Sequence, residues 1–107
     1  MKRFVLTPLA RLDLEAIWRY VANDNVKAAT QLLNHLEATV RGLAKNPGVG
    51  HLREDLADRR HRFFPVGAYL IVYRFQTKPL QIIRILHASR DVQALLELEP
   101  IDTESPE

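Results

Sequence analysis

The chain has 107 residues, 47% hydrophobic and 26% charged, enough for one globular domain with a two-layer core and too few for a multidomain enzyme. It contains no cysteine, which excludes a disulfide framework, a cysteine zinc site, an iron–sulfur cluster and a thiol nucleophile. The net charge is +2, but Glu97, Glu99, Asp102, Glu104 and Glu107 crowd the end, so residues 1–96 set fifteen bases against eight acids and form a body that favours acidic partners.

Met1–Leu6 reads as a short strand ending at Thr7-Pro8, where Thr7 suits a helix cap and Pro8 its first turn. Ala10, Leu14, Ile17, Trp18 and Val21 then recur at helical spacing, with Arg11, Glu15 and Arg19 on the other side. Asn23-Asp24-Asn25 supplies a turn and the next cap. A second amphipathic helix follows through Ala28, Ala29, Leu32, Leu33, Leu36, Val40 and Leu43, and Pro47, Gly48 and Gly50 stop it. So short a connection predicts an antiparallel helical hairpin.

From residue 60 the period changes to that of strands. Arg60–Val66 is extended, and Pro65 points to an edge or a bulge because it has no N–H for a ladder. Gly67 turns the chain into Tyr69–Phe75, and Thr77-Lys78-Pro79 turns it again into Leu80–His87, giving an antiparallel meander. Ser89 is the expected cap of a short last helix holding Val92, Leu95 and Leu96. The fold class is therefore α+β: an N-terminal strand, a two-helix hairpin packed on a small antiparallel sheet, and a short C-terminal helix or tail. Residues 1–96 form the single expected domain and 97–107 an acidic tail. The longest apolar run, Ala68–Tyr73, has six residues against the roughly 20 of a membrane helix, so the expectation is a cytoplasmic protein without a membrane partner.

His35, His51, His61 and His87 are scattered and lack a second ligand at metal-binding spacing, so neither a metal nor a cofactor is expected. Arg59-Arg60-His61-Arg62 beside Phe63 and Phe64 has two readings: a nucleic-acid surface of bases and stacking rings, or an edge strand guarded by charge. Arg74 and Arg84 each interrupt an apolar strand, and a buried guanidinium must find solvent, a carboxylate or a ligand. His87, at a strand end three residues before Arg90, either moves protons or packs and donates to a carboxylate such as Asp91.

Four stretches, LTPLARLDLEAIWRYV, NPGVG, FPVGAYLIVYR and IIRILHASRD, come in the order and spacing that resemble ParE-type toxins of the ParE/RelE superfamily, and the likeness covers residues 3–96. It implies the toxin of a bacterial type II toxin–antitoxin module, of the kind that stabilises plasmids. It further implies an inhibitor that binds DNA gyrase and is not itself an enzyme. RelE-like members of the fold instead cut mRNA in the ribosome without a metal. For that alternative, similarity of strand position places Arg62, Tyr73, Arg74, His87 and Arg90 as the nuclease set. For the gyrase reading, Arg74, Arg90 and Asp91 are the expected target-binding residues. A cognate, mostly disordered antitoxin is the implied partner in a hetero-oligomer, with Trp18, Tyr20 and Leu36 lining its groove and Arg60 pairing with its carboxylates. The edge at Arg60–Phe64 offers a second docking site by strand addition. Leu36 also fits a place in the domain's own core.

Overall fold

The computed structural model describes residues 3–57 and 59–98. Most of the expected acidic tail, from residue 99 on, lies outside them. Strand β1 (Phe4–Leu6) leads into helix α1 (Pro8–Ala22), which turns into helix α2 (Val26–Lys45). Thr7 and Asn25 are the two caps, accepting from the N–H groups of Ala10 and Ala28. Strands β2 (His61–Val66), β3 (Tyr69–Arg74) and β4 (Leu80–His87) form the antiparallel meander, and helix α3 (Val92–Leu98) closes the described chain. The β2–β3 turn has Gly67 at its first position with φ 57°, as a type II′ turn requires.

The sheet order is β1-β4-β3-β2, and β1 runs parallel to β4. The sheet is thus mixed, where the sequence suggested an antiparallel one throughout. Both helices and strands β2 and β3 lie between β1 and β4 in the chain, so no hairpin dictates their direction.

Both faces of the sheet are covered. On one, the helical hairpin packs Ala10, Ile17, Leu36, Val40 and Leu43 against Ile71, Tyr73, Ile82 and Ile85. On the other, Val92 and Leu96 of α3 close a smaller core with Phe63, Val72, Ile83 and Leu86. This double cover is why β4 reads as an almost unbroken apolar run. The pairing of β3 with β4 slips between Val72 and Tyr73, leaving Ile83 as an extra residue. The cap of α3 is Asp91, whose Oδ1 accepts from the Ala94 N–H at 3.2 Å, and not the expected Ser89.

Candidate functional site

The short β1 decides how the centre of the molecule is wired. Beyond Ile82, β4 has no strand on that side, and the start of α1 takes over. The Thr7 N–H donates to the Ile82 carbonyl at 3.1 Å and the Thr7 hydroxyl to that of Ile83 at 2.8 Å. Six residues on, Asp13 accepts the Ile85 N–H at 2.9 Å and grips Arg84 with both oxygens, at 2.7 and 2.9 Å. Both side chains are only 11% exposed. Arg84 therefore takes the carboxylate outcome. Asp13 went unremarked in the sequence, although it lies three residues after Ala10 and four before Ile17, on the face of α1 that carries the core.

Tyr73 is likewise structural. It is fully buried, its hydroxyl donating to the Pro47 carbonyl at 2.6 Å and accepting from the Gly50 N–H at 2.9 Å. Burial pushes the phenol above its ordinary pKa, against the opposing pull of the Gly50 N–H and the Arg62 charge. A side chain at position 50 would collide with the Tyr73 ring, so Gly50 serves a close approach as well as stopping α2. Arg62 donates to the Gly50 carbonyl at 3.2 Å and stacks its guanidinium 4.2 Å from the centre of the Phe75 ring.

The five residues of the nuclease set do not converge. Arg62, Tyr73 and Arg74 share one end of the sheet, where Arg62 pairs with Tyr73 and His61 with Arg74. His87 pairs with Tyr69 at the other end. Four residues of β3 separate the two groups, about 14 Å at a strand's rise of about 3.4 Å per residue. Arg74, already engaged by a neighbour, lies at the first end, whereas the exposed Arg90 lines a groove with His87 at the other, so the expected target contacts are divided between the two ends.

At the far end, α1 and the exit of β4 enclose an open groove of about 490 Å³ lined by Ala16, Ile17, Tyr20, Tyr69, His87 and Arg90. The His87 ring meets Tyr69 edge-on at 5.2 Å. Its Nδ1 accepts from the Ser89 N–H at 3.1 Å, which leaves Nε2 to carry the proton in the neutral ring. The expected bond to Asp91 is replaced by this contact with Ser89. Tyr20 is 80% exposed beside the groove, and Leu9 and Leu12 continue an outward apolar stripe along α1. Trp18 is half-buried and Arg60 exposed with a partner of its own, whereas Leu36 is fully buried and belongs to the core.

The β2 edge is closed to strand addition over most of its length. His51 exchanges two backbone bonds with Phe63, each 2.8 Å, and the outward-facing Pro65 has no N–H. The basic-aromatic run divides accordingly: His61 and Phe63 are buried, while Arg59 is exposed and paired with Glu54. Among the described residues, no three His, Asp or Glu side chains gather as a metal site would need, and no helix is long and apolar enough to cross a membrane.

Residues 4–92 match the family model described as the ParE toxin of the type II toxin–antitoxin system parDE. Toxin ParE1 of Caulobacter vibrioides is 33% identical over 97 residues, spanning 90% of this chain and 99% of that protein. Toxin ParE3 of the same organism is 32% identical over 97 residues, with 90% and 96% covered. A solved chain from the chromosomal ParDE system of P. aeruginosa shares the fold, with a TM-score of 0.68 over 83% of this chain and 98% of that one at 23% identity.

Proposed function

The chain belongs to the ParE toxin family of type II toxin–antitoxin systems, and from that membership we propose that it acts in the cytoplasm by binding DNA gyrase, without a cofactor and without cutting nucleic acid itself. A cognate antitoxin holds it silent in a hetero-oligomer. The observation that favours inhibition by binding is the dispersal of the nuclease set. Metal-free RNA cleavage needs a proton-transfer group and cations around one phosphate. Here the Tyr73 phenol is sealed against Pro47 and Gly50, and His87 sits at the opposite end of the sheet from Arg62.

The groove at the exit of β4 supports two roles. Arg90, which lines it, and the neighbouring exposed Asp91 are the proposed contacts to gyrase, with Arg74 a separate one. Tyr20, which lines it, is a proposed antitoxin contact, as are Trp18 elsewhere on α1 and, away from the groove, Arg60. Adding the purified chain to gyrase, ATP and plasmid should accumulate linear, cleaved DNA; supercoiling that proceeds unchanged under excess protein contradicts this reading.

His87 beside Ser89 and Arg90 keeps ribosome-dependent mRNA cleavage as the second reading. His87→Gln separates the two. A gyrase inhibitor keeps most of its toxicity in that variant, and a ribonuclease loses both mRNA cutting and growth arrest.

A further inference from the structure

Along the free edge of β1 runs an open groove of about 850 Å³, lined by Phe4 and Leu6 together with Arg3, Arg11, Arg41 and Lys45. Two features of this groove are independent of one another. The first is the backbone. Arg3 and Thr7 direct their bonding groups at β4, through the Arg3 carbonyl to the Leu80 N–H and the Thr7 N–H to the Ile82 carbonyl. Alternation along the strand then turns the N–H and C=O of Phe4 and Leu6 the other way, into the groove. The strand order ends at β1, so among the described residues no strand covers this edge. The second feature is charge. Four cations converge, Arg3 from just before β1, Arg11 from α1 and Arg41 and Lys45 from α2, and the one carboxylate of the described residues paired with any of them is Glu37, on Arg41 through an exposed contact of 2.8 Å.

We propose that this edge takes an extended, acidic segment of the antitoxin as a fifth strand of the sheet, its backbone bonding Phe4 and Leu6 and its carboxylates meeting Arg11, Arg41 and Lys45. The inference rests on the chain's having an antitoxin partner and adds where and how one part of that partner docks. A row of alternating donors and acceptors fits a peptide backbone. It fits a phosphate chain poorly, since the two carbonyls would face phosphate oxygens, so the cations here are assigned to carboxylates and not to nucleic acid. At the opposite edge, β2 is closed by His51 and Pro65, which leaves β1 as the edge open to pairing.

The test uses the full chain co-purified with the antitoxin encoded in its neighbouring reading frame. Amide exchange at Phe4 and Leu6 should slow at least about ten-fold in the complex, while Val5, turned towards β4, changes little. The surface double variant Arg41→Glu/Lys45→Glu should fold normally and bind the antitoxin about thirty-fold more weakly or worse in low salt, a deficit that shrinks as salt is raised. If a complex forms but the two amides exchange as before, or the double variant binds with unchanged affinity, the docking site is refuted and the toxin–antitoxin pairing stands. If the wild-type chain forms no complex with that antitoxin, the pairing itself fails and this inference with it. Binding of a short DNA duplex that depends on Arg41 and Lys45 while the amides stay unprotected overturns the proposal in favour of a nucleic-acid groove.

Discussion

Replacing Asp13 by alanine should cost the protein more than any other single truncation on the surface of α1. The substitution leaves the Arg84 guanidinium without its carboxylate and the Ile85 N–H without an acceptor, both at the sheet edge that β1 fails to cover. Breaking a buried ion pair by removing one partner costs about 3–5 kcal/mol, and an orphaned buried N–H about 1–3 kcal/mol. Because the two penalties share a single oxygen and overlap, a total near 4 kcal/mol is expected. Against the roughly 5–15 kcal/mol that holds a domain of this size together, that is a large fraction, and it should lower the melting temperature by about 15–20 °C. Urea titration followed by circular dichroism measures it. Asp13→Asn, which keeps an acceptor for Ile85, should lose about half as much. The double variant Asp13→Leu/Arg84→Met should recover most of the loss, because neither charge then remains buried. A cost below about 1 kcal/mol for Asp13→Ala, or a double variant as weak as the single one, would refute the claim that this pair replaces the missing strand.

Gly50→Ala should destabilise by about 2 kcal/mol or more, since the new methyl group displaces the Tyr73 ring from its seat between Pro47 and Gly50; a denaturation midpoint equal to wild type contradicts this. Tyr73 also governs behaviour at high pH. Its phenol is held above the ordinary value of 10.0, so the native state keeps a proton that the unfolded chain releases. Its contribution is therefore intact below about pH 10 and is lost as pH rises through the higher native value. Tyr73→Phe should be less stable at pH 7 by about 1–2 kcal/mol and show a smaller decline above pH 10, read from urea midpoints across pH 8–11. An alkaline decline of the same size in both proteins assigns it to other groups.

Much of this architecture could be read from the residues because local signals agreed with the tertiary outcome. Thr7-Pro8 and Asn25 cap the helices the apolar spacing announces, and Gly67 marks the hairpin. What escaped was non-local. The direction of β1 depends on a crossover that no short-range pattern records. Asp13 lies on the core face of α1, and its partner Arg84 is seventy-one residues on, beyond the reach of any local pattern. Gly50 carried the ordinary meaning of a helix stop, and its second duty depends on a tyrosine hydroxyl arriving from β3. Of the five residues placed by likeness to a nuclease, the sheet register puts Arg62, Tyr73 and Arg74 at one end and His87 at the other, a separation that only the folded pairing reveals. The cations around β1 come from the residue before it and from both helices, and are adjacent only after the hairpin folds back over the strand.

Whether this basic domain stops growth by seizing a macromolecule and not by cutting RNA is decided by inducing the chain alone in living bacteria and following DNA and protein synthesis side by side. DNA synthesis should fall first, broken chromosomal DNA should accumulate, ribosome-bound mRNA should stay intact, and co-expressed antitoxin should abolish all of it. Protein synthesis collapsing first, with mRNA cut on the ribosome and the effect gone in His87→Gln, would contradict inhibition by binding.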